Sequence, residues 1–99
     1  MDKASAKQEL LSQTAKISWE ELQRFFAAGK LIYVTQPLDL IDVGTELIQD
    51  NKTQFTQWTE SNAVHPVNDE QAQAWSQENL VLWAVAVSPW ILVQEIKED

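Results

Sequence analysis

Fifteen of the 99 residues are Asp or Glu, and four of these recur in a pattern that could do chemistry. Asp39, Asp42, Glu46 and Asp50 are spaced by three and four, which aligns them along one side of a helix. Oxygen ligands so arranged suit a divalent cation, and they equally suit the ammonium and guanidinium groups of a basic partner. The simpler reading is a solvated face opposite a buried one, with Asp39 and Asp42 complementing the positive end of the helix. His65 is the only histidine. In a polar loop beside Pro66 it could act as a general base or a metal ligand. A carboxylate close to it would make a carboxylate-based enzyme or a divalent-metal site. The chain has no Cys and no second His to complete a transition-metal set. No Ser stands in a nucleophile elbow, and Gly29 and Gly44 belong to no phosphate-binding loop. The residues therefore indicate no catalytic set, no metal site and no cofactor, and His65 reads as a surface loop residue.

The five Trp residues, Trp19, Trp58, Trp75, Trp83 and Trp90, have two readings. Trp83 lies inside an apolar run and is expected in the core. Trp19 opens a helix and Trp90 opens a strand, positions where a ring can stay partly exposed. With Asp39, Asp42 and Glu46 these two form the candidate interaction surface, since Trp anchors interfaces as well as cores.

Charge and composition narrow the function classes. The net charge of −8 opposes phosphate-backbone binding, for which clustered Lys and Arg are required, so no nucleic-acid partner is expected. The absence of Cys excludes disulfides and thiol catalysis. The first residues contain no apolar core of a secretory signal. The longest apolar run, Leu80 to Val87, is far short of the roughly 20 residues a membrane helix needs. A cytoplasmic protein with no membrane association is expected, and 99 residues suit one domain, 1–99.

The elements that must position these residues follow from periodicity and punctuation. Residues 3–15 read as a modest helix. Ser18-Trp-Glu-Glu21 is a capping box that opens a helix over 19–28, with Ile17 and Leu22 as its staple and Gly29 as its stop. A strand at 30–35 is closed by Pro37. Asp39 then caps a helix over 39–61, with a break near residue 51 as the alternative. Gly44 falls on its buried face, where a close backbone would explain it. Asn62 to Val67 is a loop. Asn68-Asp-Glu-Gln71 is a second capping box, for a helix over 69–77.

The last stretch, Leu80 to Ile96, is too long for one strand of so small a domain and divides at Ser88-Pro89. Strand 80–87 is apolar on both faces and should be central. Its small Ala84 and Ala86 suit a helix packed close. Strand 90–96 turns polar at Gln94 and Glu95, as an edge strand would. Because Pro is unusual in a tight hairpin, Val87 or Trp90 could be drawn into a wider turn. The strand at 30–35 should lie parallel to 80–87 through a right-handed crossover. The expectation is an α+β fold: a small mixed three-stranded sheet (30–35, 80–87, 90–96) packed with four or five helices.

Three ordered blocks carry a resemblance: Thr14 to Gly29, Asp69 to Trp75, and Leu82 to Gln94. Over these the chain resembles a small bacterial family known as domain of unknown function 2288. The resemblance implies a bacterial, cytoplasmic, stand-alone protein and supplies no activity, ligand or catalytic residue. Function then divides between two classes. The first is a non-catalytic interaction or structural module whose partner is another protein or a second copy. A homodimer would form at the 90–96 edge or the adjoining Trp90 surface, with charge confined to Glu95, Lys97, Glu98 and Asp99. The second is a carboxylate-based enzyme or divalent-metal-binding protein built around His65. The acidic residues lie mainly on exposed helical faces, which favours the first.

Overall fold

The computed structural model describes residues 3–36, 38–87 and 89–96. Pro37, Ser88 and the charges at Lys97, Glu98 and Asp99 lie outside the described residues. The elements run α1 (Lys3–Gln13), β1 (Ala15–Ser18), α2 (Trp19–Ala27), β2 (Leu31–Val34), α3 (Leu40–Ile48), α4 (Lys52–Glu60), β3 (Val64–Pro66), α5 (Asp69–Glu78), β4 (Val81–Val87) and β5 (Trp90–Glu95).

The fold is α+β, but the sheet has five strands rather than three, in the order β1-β4-β5-β2-β3. The two unexpected strands are four and three residues long, the first read from sequence as the junction between helices 3–15 and 19–28 and the second as a loop. Segments that short are too brief to display an alternating pattern, and pairing with β4 and β2 creates them. The strand expected at the edge, β5, is the middle strand. It pairs antiparallel with β4 and parallel with β2. The strand at 30–35 thus has β5, not 80–87, as its parallel neighbour. Gln94, read as running out to solvent, is 8% exposed, and its Nε2 donates to the Leu38 carbonyl at 2.6 Å. Polarity at that position marks a buried tie to the loop before α3, not an edge. Val87 pairs directly with Trp90, so neither is drawn into a wider turn.

Local signals hold where the chain alone decides them. Asp39 accepts from the Ile41 and Asp42 amides at 2.8 and 3.4 Å and starts α3. Both halves of the Asn68–Gln71 capping box form, at 2.8 and 3.2 Å. Gly29 follows α2 at φ +73°, a left-handed conformation that favours glycine. Residues 39–61 are two helices. Asp50 takes φ +57°, and Asn51 caps α4 by accepting from the Gln54 amide at 3.2 Å.

The Ser18 capping box is absent. Ser18 is the last residue of β1, and the connection between α5 and β4 satisfies the start of α2 instead. The Trp19 amide donates to the Leu80 carbonyl at 2.8 Å, and the Glu20 amide to Asn79 Oδ1 at 3.3 Å.

Alternation along the strands divides the core in two. One face presents Val34, Val64, Val85 and Leu92 to Leu10 of α1 and to Leu40, Ile41 and Val43 of α3, with Phe55 and Trp58 of α4 alongside. The other presents Leu31, Tyr33, Leu82 and Val93 to Trp19 and Leu22 of α2 and Trp75 of α5. Gly44 is buried at the α1–α3 contact. What crowds it is side chains rather than backbone: a Cβ there would stand 3.0 Å from Leu10 Cδ1 and 3.5 Å from Leu92 Cδ1.

Candidate functional site

Of the residues singled out from sequence, Asp42, Glu46 and Trp58 line one recess with Lys7, while Trp19, Trp90, Asp39 and His65 do not line it. Trp19 is 2% exposed, its ring 5.7 Å from both Phe26 and Trp75, so it cannot line a surface. The strand that precedes it seats the helix start under the sheet, which the first position of an isolated helix would not. Trp90 is 37% exposed and does reach the surface. Trp83, expected in the core, is half-buried beneath Lys16, whose Nζ lies 5.2 Å from the ring. The acidic residues of α3 have local duties. Asp39 caps the helix, Asp42 pairs with Lys7 at 3.2 Å, and Glu46 accepts from Asn51 Nδ2 at 2.8 Å. Among the described residues no three His, Asp or Glu are placed to hold a metal ion.

His65 lies on β3 directly across from Tyr33 on β2, and the two rings meet edge-to-face at 5.4 Å. Its Nδ1 is 2.8 Å from the Pro66 carbonyl oxygen. A carbonyl only accepts, so Nδ1 is the donor in this contact. Among the described residues His65 forms no ion pair with a carboxylate. The Tyr33 hydroxyl instead donates to Glu95 Oε1 at 2.9 Å. Burial, reinforced by that bond and by the Glu95 charge, pushes the phenol from 10.0 up to about 12. Tyr33 is therefore a fixed donor at neutral pH. Sequence periodicity marked it only as a strand residue, because Glu95 is 62 positions away.

Several recesses of about 520–610 Å³ open on the described surface, and two of them adjoin at the hairpin end of β4 and β5. On the α2 side, a groove of about 610 Å³ has Ala84, Ala86 and Ile91 as its floor, with Ile17 and Phe25 as apolar walls. Glu20, Glu21 and Arg24 stand at its mouth. The small Ala84/Ala86 face was expected to seat a helix. Ala84 is buried, but Ala86 is exposed, because α2 ends at Ala27 and α5 packs instead over Tyr33 through Trp75. On the opposite face a second groove, about 520 Å³, is lined by Leu10, Leu47, Ile48, Val87 and Trp90, with Glu9 beside it. Ile48 is 39% exposed there. Gln13 and Ala86 border both grooves, so the sheet end separates two adjoining apolar recesses. Clustered apolar exposure of this kind marks interaction surfaces more often than isolated exposed residues do.

The model of a family described as protein of unknown function (DUF2288) matches residues 5–95. The chain belongs to this family. It is also similar to a solved structure described as the NMR solution structure of PA1075 from Pseudomonas aeruginosa. That similarity reaches 38% identity and a TM-score of 0.81, over 99% of this chain and 89% of that one. Comparison with curated proteins gives no match. The DUF2288 description carries no activity, so function must be argued from the geometry above. Among the described residues, no helix of this DUF2288 member is long and apolar enough to cross a membrane.

Proposed function

We propose that this DUF2288 protein is a non-catalytic interaction module that holds a protein partner at the hairpin end of its sheet. The observation that supports this is the apolar floor of Ala86 and Ile91, open on one face, with Trp90 and Ile48 partly open on the other. Pockets of interacting proteins are characteristically apolar at the centre with a polar rim. Gln13, Glu20, Glu21 and Arg24 supply that rim. The carboxylate-based enzyme reading finds less support, because His65 is turned to a backbone carbonyl and Tyr33 engages Glu95.

A second copy is the less favoured partner. Of the two routes expected for a dimer, the β5 edge is closed by β2 and β4 and the Trp90 surface stays partly exposed, but two copies at −8 each repel. The test is affinity capture from the source organism with wild-type bait and with Ala86→Asp/Ile91→Asp bait, folding being checked by circular dichroism. A partner retained by the first and lost by the folded second supports the module. Equal capture by both removes this surface from the function.

A further inference from the structure

Resting on that reading, we propose that the occupant is an extended apolar segment, flanked by Lys or Arg, that adds to the open edge of β4 at Ala86. The backbone geometry carries the argument. The Ile91 amide donates to the Lys30 carbonyl at 2.9 Å, so Ile91 turns its hydrogen-bonding side toward β2. Ala86 is the residue opposite Ile91 in the antiparallel β4–β5 pair. Pairs in such a ladder alternate between bonded and non-bonded, and this one is non-bonded. The N–H and C=O of Ala86 therefore point away from β5, toward the edge that β1 follows. On that edge the ladder runs from the Trp19–Leu80 bond to the Ala15–Ala84 pair and ends. Ala86, two residues further along, is exposed, and among the described residues no strand lies beside it on that edge.

A strand laid there would continue the line of β1 and take both backbone groups of Ala86, as in strand addition to a sheet edge. Side-chain alternation then uses both recesses. The incoming residue opposite Ala86 enters the groove floored by Ala86 and Ile91. The next, opposite Val87, enters the groove beside Trp90 and Ile48. One extended segment thus accounts for two apolar grooves that meet at a single strand edge. Gln13, exposed at the end of α1, stands at the mouth of both and is the side chain that must move aside. The rim sets the flanking charge. Three acidic residues, Glu9, Glu20 and Glu21, and one basic residue, Arg24, line the two grooves, and the Arg24 guanidinium already lies 4.8 Å over the Phe25 ring. On a chain of net −8, basic flanks are the complement.

The test uses the full ¹⁵N-labelled chain and a synthetic amide, Lys-Lys-Val-Leu-Val-Lys-Lys. The expected result is saturable movement of the Ala86 amide together with the Ile91 amide and the Trp90 indole signal. A Glu-flanked peptide with the same core should bind at least about tenfold more weakly, as should the Lys-flanked peptide assayed on Glu20→Lys/Glu21→Lys protein. N-methylation of the central Leu, which removes its backbone donor, should abolish the Ala86 shift. If the groove signals move while the Ala86 amide does not, or if the N-methylated peptide binds equally, strand addition is overturned and the interaction module stands. If Ala86 responds instead to dilution of the protein alone, a second copy takes the edge and the basic segment is excluded. No shift at millimolar peptide removes the proposal, and the capture experiment with Ala86→Asp/Ile91→Asp then decides the broader reading separately.

Discussion

Replacing Gly44 by Ala sets two effects of similar size against each other. A glycine inside a helix costs about 1 kcal/mol relative to alanine, so the substitution should stabilise α3 by that amount if space allows. The added Cβ would meet Leu10 Cδ1 at 3.0 Å, while Leu92 Cδ1 at 3.5 Å and Val87 Cγ2 at 3.6 Å are ordinary contacts. The conflict is therefore with one methyl group, that of a residue 2% exposed and packed in the core. Leu10 must shift by a few tenths of an ångström, and overpacking of this kind costs about 1–3 kcal/mol. The net effect of Gly44→Ala should be a loss of about 0–2 kcal/mol. In a Leu10→Ala background the obstruction is gone, although that background itself costs about 2–5 kcal/mol. There Gly44→Ala should stabilise by about 1 kcal/mol, giving a coupling of at least about 1 kcal/mol between the two positions. Urea midpoints and slopes for the wild type, both single variants and the double variant close the cycle. A coupling below about 0.5 kcal/mol would show that Leu10 does not sit on Gly44, and the α1–α3 packing would have to be redrawn.

Tyr33 is the only tyrosine, so phenolate absorbance should titrate near about 12 in the native protein and near 10 once denatured. Because the folded value is raised, its contribution to stability is fully present below pH 10 and is lost as pH climbs through about 12; a native midpoint near 10 would contradict the Glu95 contact and the burial. The indole N–H of Trp19 is buried with no acceptor among the described residues, a condition that costs about 1–3 kcal/mol. Trp19→Phe removes that cost along with some packing, so its loss should stay below about 2 kcal/mol, against about 3–5 for Trp19→Ala; equal losses by thermal melts would mean the N–H is satisfied. Millimolar calcium or magnesium should leave the melting temperature unchanged, since Asp39, Asp42 and Glu46 are each engaged locally. A clear rise that disappears in Asp42→Asn would restore the metal reading.

The sequence by itself determined what a few neighbouring residues decide. Asp39, the Asn68–Gln71 pair and Gly29 set the ends of three helices through bonds and backbone angles reached within four positions. The two apolar runs before and after Ser88-Pro89 specified strands because residues two apart share a face and their burial repays extension. The lack of Cys, of a second His and of a phosphate loop narrowed the chemistry at the same level. Tertiary structure decided the rest. Strands β1 and β3 exist because β4 and β2 offer them ladders, and three or four residues carry no period of their own. The same pairing buries Trp19, hands the start of α2 to Leu80 and Asn79 in place of Ser18, and seats β5 in the middle of the sheet. Alternation tells which residues share a face but not which strand lies alongside. That choice rests on where five helices can cover two faces, and at Ala86 and Ile91 that cover stops short.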